Sequence, residues 1–218
     1  MKVEIWADLV CPWCYIGERR LAAALSSFAH GDEVEVVWRS FQLDPDAPDT
    51  PERTVNEMLA EKYGVSLEEA AAMNDRVSAI AAADGLEYHI ERTAYVNTFN
   101  AHRLNHLAAA HAVQTRLGER LFRFYFTEGG NLADAEALIG LAAEAGIPAD
   151  VARAVLQGTA YADAVEADIE AARRLGVRGV PFMVFDGKYG LSGAQPAKVV
   201  AETLERAWNE SRSGGSAR

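Results

Sequence analysis

Two cysteines, Cys11 and Cys14, stand between a short apolar segment at residues 3–7 and a stretch with helical periodicity. Pro12 suits the first position of a helix, because the N–H that proline lacks would be unpaired there. The sequence therefore predicts that Cys11 caps this helix and that the amides of Trp13 and Cys14 point at its sulfur. Such amides and the positive end of the helix dipole favour a thiolate over a thiol.

This placement predicts a redox site. Cys11, at the helix start, is the candidate attacking thiol. Cys14 lies about one helical turn further on, close enough to form a disulfide with Cys11, and is the candidate resolving thiol. A purely structural disulfide is a weaker interpretation, because a bridge that closes so short a loop adds little stability.

A zinc site is another interpretation of the cysteine pair. His102 and His106 stand four positions apart and could complete a set of four ligands with Cys11 and Cys14. Zinc fingers separate the cysteine pair from the histidine pair by about 12–15 residues. In this chain most of the first half lies between Cys14 and His102. Distant pairs can still meet in a fold, so zinc stays an alternative, while the interpretation we favour has no metal site.

Charge and the absence of targeting signals narrow the class of protein. The net charge of −11 disfavours nucleic acid and anionic membrane surfaces as partners. No N-terminal signal segment and no apolar stretch of membrane-spanning length are visible, which predicts a cytoplasmic protein. Structural disulfides are rare in that compartment, so the predicted location also favours a catalytic pair. The sequence does not indicate an oligomeric state.

The first 41 residues predict a strand, a helix and a second strand at residues 3–7, 13–28 and 34–38. Such a unit places ligands at the carboxyl ends of its strands, which is where Cys11 lies. Three prolines between residues 45 and 51 then indicate a linker.

Only helices are predicted from the linker as far as residue 175. Caps, glycines and a capping box place them from residues 50–52 to Gly64, from Ser66 with Glu69, from Asn97 or Thr98 toward Gly118, from Asp134 to Gly146, from Pro148 to Gly158, and over residues 160–175.

The end of the chain returns to strand-like sequence. Residues 180–185 and 188–191 predict two strands, joined by a hairpin turn at Asp186 and Gly187. A last helix follows Pro196. Residues 211–218 are small and polar, and we expect them to fray into solvent.

Several segments resemble a known family. A Cys-x-x-Cys pair after the first strand, together with Gly179-Val180-Pro181 before a late hairpin, resembles the thioredoxin superfamily, and the helical insertion resembles its DsbA-like branch. Four segments are similar to the cytoplasmic FrnE-type DsbA-like oxidoreductases; they cover residues 8–17, 97–104, 176–182 and 192–196.

The resemblance implies an α/β fold and a thiol–disulfide oxidoreductase or isomerase. A thioredoxin-like domain at residues 1–48 and 162–218 would be split by an all-helical domain at residues 49–161. The substrates would be protein or small-molecule disulfides or dithiols. No bound cofactor is expected, and glutathione is left open as a co-substrate.

The resemblance also assigns roles to residues. Cys11 would be the nucleophile, Cys14 the resolving cysteine, and Pro181 a cis residue that shapes the substrate groove. The backbone of Val180 could pair with an extended substrate, and Trp13 would offer it an apolar face.

Three polar residues near the predicted site have two interpretations each. Asn97 and His102 would lie near the cleft and contact substrate, although a helix cap and a hydrogen-bonded residue at the domain boundary are the simpler roles. Asp8, at the end of the first strand, could move protons or raise the pKa of Cys14, or could simply be a turn residue.

Related branches of the same superfamily supply the alternative function. Kappa-class glutathione transferases and 2-hydroxychromene-2-carboxylate isomerases act with glutathione and carry serine where this chain has Cys11. They also place Ser/Ala-Asp-Arg where this chain has Ala194-Gln195-Pro196. Both differences weigh against a glutathione-dependent isomerase or transferase of aromatic small molecules, which stays the second hypothesis.

Overall fold

A four-stranded sheet forms the centre of the fold. The computed structural model describes residues 1–213. Within them the strands are β1 (Lys2–Ala7), β2 (Glu35–Ser40), β3 (Phe182–Phe185) and β4 (Tyr189–Ser192), in the order β2-β1-β3-β4. β1 runs parallel to β2, and the pairs β1–β3 and β3–β4 are antiparallel.

Helices cover the sheet and fill the sequence between β2 and β3. They are α1 (Pro12–Ser27), α2 (Val55–Tyr63), α3 (Leu67–Ala83), α4 (Phe99–Ala110), α5 (Gln114–Phe126), α6 (Ala135–Glu144), α7 (Ala149–Gln157), α8 (Ala162–Arg174) and α9 (Ala197–Ser213). This arrangement confirms the predicted α/β class. The domain boundaries at residues 48/49 and 161/162 stay a prediction.

Local capping signals located several helix starts correctly. Ser66 and Glu69 form the predicted capping box of α3, and Asp134 accepts hydrogen bonds from the first turn of α6. The predicted opening of α2 at residues 50–52 was wrong. α2 begins after Thr54, because the side chains of Thr54 and Glu57 cap each other's backbone N–H groups and form a second capping box.

The single helix predicted from Asn97 or Thr98 toward Gly118 was also wrong. α4 ends at Ala110, Ala112 takes a positive φ of 56°, and α5 then starts a new helix that continues past Gly118 to Phe126. Alanine is a strong helix former and rarely adopts this backbone conformation, so the local sequence gives no sign of the break.

The late hairpin matches its prediction. Asp186 and Gly187 both have positive φ, as the turn chemistry required. Residues 211–213 still belong to α9. The prediction that the chain frays from residue 211 was therefore wrong for these three residues. Residues 214–218 lie outside the described part of the chain.

An aromatic stack joins α1 to the helical region and so fixes the start of α1. Tyr15 on α1 stacks on Phe122 of α5 with ring centroids 5.0 Å apart, and Tyr88 stacks on Phe126 at 4.6 Å. The Tyr88 hydroxyl donates a hydrogen bond of 2.8 Å to the carbonyl of Pro12. In the described part of the chain, no helix has the length and apolar character that a membrane crossing requires.

Candidate active site

Cys11 occupies the N-cap position of α1, and Pro12 is the first residue of this helix, as predicted. The predicted contacts of the sulfur were wrong, however, because the Cys11 side chain makes no capping hydrogen bond. The N–H of Cys14 donates instead to the carbonyl oxygen of Cys11 at 3.0 Å. The sulfur is therefore left to face the loop that precedes β3.

That loop brings Val180 and Pro181 to the cysteine pair. The Cys11 Sγ lies 3.6 Å from the carbonyl oxygen of Val180, and the Val180–Pro181 peptide bond is cis. α1 can approach this loop because residue 17 is glycine: a Cβ there would stand only 2.8 Å from the Cγ of Pro181. Two segments distant in sequence thus meet around one sulfur.

Cys14 lies behind Cys11 and is 1% exposed. Burial, together with the hydrogen bond to Cys11, raises the pKa of the Cys14 thiol well above its usual range, and a hydrogen bond from the Asp8 backbone opposes that shift only in part. Cys14 is therefore a protonated thiol at neutral pH. Both cysteines are free thiols in this structure, so the site is seen in its reduced form.

A buried carboxylate and imidazole lie next to the pair. Asp8 accepts the backbone N–H of Leu43 at 2.7 Å, and its other oxygen lies 3.3 Å from the Nε2 of His102. Both side chains are almost fully buried. Asp8 also interacts electrostatically with Cys14, so the structure connects His102 to the redox pair through Asp8 and not by direct contact.

The side chain of Asn97 makes hydrogen bonds to the backbone around it. Its side-chain oxygen accepts the N–H of Phe99 at 2.8 Å and so caps α4, while its amide donates to the carbonyls of Pro45 and Ala47. The side chain thereby ties the proline-rich linker to the start of α4. A direct role in substrate binding for Asn97 stays a prediction.

A cleft of about 680 Å³ opens beside Cys11. Cys11, Trp13 and Val180 line it together with Asp8 and with side chains of α2 and α3. Trp13 is 38% exposed at this surface. The attacking thiol thus borders the cleft, whereas Cys14 is not among the residues that line it.

The four residues of the zinc alternative do not converge. His102 pairs with Asp8, while the Nε2 of His106 lies 3.1 Å from a carboxylate oxygen of Asp168 and 3.1 Å from the Ser40 hydroxyl. In the part of the chain that the structure describes, no group of three or more His, Cys, Asp or Glu side chains could hold a metal ion.

Glu18, which sequence reasoning missed, is a buried carboxyl one turn beyond Cys14 on α1. It is 8% exposed, and its Oε2 has no hydrogen-bond partner among the described residues. Burial, opposed by Arg19 and reinforced by Glu119, raises the pKa of Glu18 to about 7. Its sequence signal was a Glu on the same helix face as Cys14 and Leu21.

Glu18 should make stability fall as pH rises. Between about pH 5 and 7 the folded protein holds a proton on Glu18 that the unfolded chain releases, so the free energy of unfolding decreases across this range. We expect Glu18→Gln to reduce this loss between pH 5 and 8 by about 2 kcal/mol. Urea denaturation at pH 5 and at pH 8 measures the free energy of unfolding. Glu205→Gln, an exposed change on α9, is the control, and equal pH dependence in both variants would contradict the prediction.

Comparison with known proteins places the chain in a family. The model of the DSBA-like thioredoxin domain matches residues 2–205. The chain belongs to this family. A crystal structure of a probable DsbA oxidoreductase from Streptomyces coelicolor superposes on it with a TM-score of 0.91 at 46% identity, over 96% of this chain and 91% of that one.

More distant solved structures share the fold. The 2-hydroxychromene-2-carboxylate isomerase superposes with a TM-score of 0.73 at 16% identity, over 98% of each chain. The cytosolic disulfide reductase DsbM from Pseudomonas aeruginosa, solved with glutathione, gives 0.68 at 16% identity, over 96% of this chain and all of that one. The DSBA-like family and its helix-split thioredoxin fold were both predicted from the sequence and are confirmed.

Proposed function

We propose that this DSBA-like protein is a cytoplasmic thiol–disulfide oxidoreductase or isomerase with Cys11 as nucleophile and Cys14 as resolving thiol. The observation that carries the proposal is the asymmetry of the pair. Both thiols are buried, but Cys11 borders the cleft against the carbonyl of Val180, whereas Cys14 does not line the cleft and is protonated. The Cys11 sulfur can meet a substrate, and the Cys14 sulfur remains available to resolve the mixed disulfide.

The chemistry follows from this asymmetry. The Cys11 thiolate attacks one sulfur of a substrate disulfide, forms a mixed disulfide and releases the first substrate thiolate. Cys14 then attacks the Cys11 sulfur, its proton passes to solvent or to the departing sulfur, and the second substrate thiol leaves. The protein dithiol has lost two electrons and the substrate disulfide has gained them. The reverse sequence oxidises a dithiol.

The first step also makes the second one easier. In the reduced pair, the Cys11 sulfur contributes to the raised pKa of Cys14. Once Cys11 is in a mixed disulfide it carries no charge, so this contribution disappears, while burial and the charge of Asp8 still oppose ionisation of Cys14. The order of attack, Cys11 before Cys14, is thus built into the site.

We propose that a low-molecular-weight thiol such as glutathione reduces the disulfide between Cys11 and Cys14 and so regenerates the dithiol. The related DsbM is a cytosolic disulfide reductase that was solved with glutathione, which supports both a cytoplasmic location and this reductant. The strongly negative charge of the chain supports partners other than nucleic acid or anionic membranes.

Trapping the mixed disulfide tests the proposed function. Cys14→Ala should react once with glutathione disulfide and keep one glutathionyl group on Cys11, because no resolving thiol remains. Intact-mass spectrometry measures the adduct. Wild type should instead end as the intramolecular disulfide without an adduct, and Cys11→Ala should stay unmodified.

The same experiment distinguishes the redox function from the second hypothesis, a glutathione-dependent isomerase or transferase. A glutathione-dependent isomerase or transferase would bind glutathione reversibly, and Cys14→Ala would form no stable adduct. That result, with the variant folded, would contradict the proposed redox function.

A further inference from the structure

The cleft beside Cys11 has an apolar rim that the fold does not cover. Six large hydrophobic side chains are exposed among the described residues, and four of them line this cleft: Trp13, Leu43, Tyr63 and Ile80. Exposed apolar surface costs solubility, and its concentration at one concave site indicates ligand binding.

The hairpin of α2 and α3 supplies the wall opposite the cysteines. No residue of α2 is buried. Apolar side chains of both helices line the cleft, and two of them, Val55 and Val77, also pack against the core. The set is Val55, Met58, Leu59, Met73 and Val77. The hydrophobic surface of this hairpin is therefore available to an apolar ligand. Unbranched methionines suit such a wall, because they adapt to irregular shapes.

Two cations line the same cleft without a carboxylate partner. Lys62, near the end of α2, and Arg76 on α3 form no ion pair within 4 Å among the described residues. Unpaired cations stand out in a chain with a net charge of −11.

The carboxylates that line the cleft are already engaged. Asp8 accepts the N–H of Leu43 and contacts His102, and Asp44 accepts the hydroxyl of Tyr95. The cleft therefore offers free positive charge to a ligand, and its negative groups have protein partners.

We propose that the cleft selects low-molecular-weight disulfides with an apolar, preferably aromatic, body and a carboxylate or similar anionic group. The inference rests on the proposed function and specifies its substrate. The volume of about 680 Å³ falls in the range of small-molecule sites. The apolar wall would take the body of the substrate, and Lys62 and Arg76 would attract the anionic group while a substrate sulfur meets Cys11.

In this reaction the Cys11 thiolate forms a bond to one substrate sulfur, and the substrate S–S bond breaks. The anionic thiolate leaves past Lys62 and Arg76. Cys14 then displaces the second half, so that two electrons pass from the protein dithiol to one substrate disulfide, which becomes two thiols.

Single-turnover kinetics test the selectivity. The reduced protein is mixed with 5,5′-dithiobis(2-nitrobenzoate), which is aromatic and anionic, with the neutral aromatic 4,4′-dithiodipyridine, or with the small, polar bis(2-hydroxyethyl) disulfide. Each rate is divided by that of the urea-unfolded protein with the same probe, which removes intrinsic reactivity. We expect the anionic aromatic probe to be favoured over each other probe by about tenfold or more.

Variants assign the selectivity to the cleft. Lys62→Gln/Arg76→Gln should lower the ratio of anionic to neutral aromatic rate about tenfold. The control Lys198→Gln/Arg173→Gln removes the same charge from exposed positions on α9 and α8, outside the cleft, and should leave the ratio within about twofold of wild type.

Three results would overturn the inference. The first is an unchanged rate ratio in Lys62→Gln/Arg76→Gln, and the second is an equal fall of that ratio in the control. The third is that Lys62→Gln/Arg76→Gln slows insulin disulfide reduction more than it slows the reaction with the anionic probe. That third result would assign the cleft to polypeptides. In each case reaction at Cys11 would persist, so the proposed function would stand. Loss of the proposed function would instead appear as full reactivity of Cys11→Ser with every probe.

Discussion

Replacing Cys11 with serine is expected to lower the rate of disulfide reduction by about a thousandfold or more, to the level of the uncatalysed reaction. A thiolate is the attacking species in thiol–disulfide exchange, and a serine hydroxyl does not ionise near neutral pH. Cys14 cannot substitute for Cys11, because it is protonated and absent from the cleft lining.

The measurement is reduction of insulin disulfides with dithiothreitol as the reductant, with the uncatalysed rate subtracted. Cys14→Ala is the informative comparison: it should lose turnover but still release the first thiolate in a single-turnover reaction. A circular dichroism melt checks that Cys11→Ser remains folded. If the folded variant kept the wild-type rate, the attacking residue would have to be sought elsewhere.

The chemistry of this site was predictable because most of it is local. The cap position of Cys11, the helical start at Pro12 and the spacing to Cys14 all lie within four residues. The approach of Val180 and Pro181 followed only from the family resemblance, since no local signal joins residue 11 to residue 180. The predicted amide contacts of the sulfur failed for a related reason: the contact of the sulfur is the carbonyl oxygen of Val180, which is distant in sequence.

The selectivity of the cleft could not be predicted in the same way. Lys62 and Arg76 are ordinary surface cations in the sequence, and Met58 and Val77 are ordinary positions on the apolar faces of two helices. Only the fold shows that these side chains of α2 and α3 line the same cleft as Cys11. The break between α4 and α5 at Ala112 is likewise set by tertiary contacts, since alanine favours helix.

Asp168 is a buried carboxylate whose loss should destabilise the fold strongly. It lies on α8 in line with Val165 and Ala172, on the face that packs against β2. Its carboxylate accepts the backbone N–H of Ser40 at 3.0 Å, pairs with Arg39 at 3.1 Å and contacts His106. An acidic residue within an apolar helical face was the sequence signal for this role.

We expect Asp168→Ala to lower the free energy of unfolding by about 3 kcal/mol. Most of this cost comes from the N–H of Ser40, a residue that is 3% exposed and would lose its partner. The Arg39 side chain is 31% exposed and keeps Glu4 as a second partner, so its share is small. Urea denaturation measures the change.

Glu170→Ala is the matched control on the same helix. Glu170 is 52% exposed and pairs only with Arg173 and Arg174 at the surface, so its loss should cost about 0.5 kcal/mol or less. Because Asp168 is not among the residues that line the cleft, single-turnover reactivity of folded Asp168→Ala at Cys11 should match wild type. Equal destabilisation by the two variants would mean that α8 is held by apolar packing alone and that the Asp168 network adds nothing.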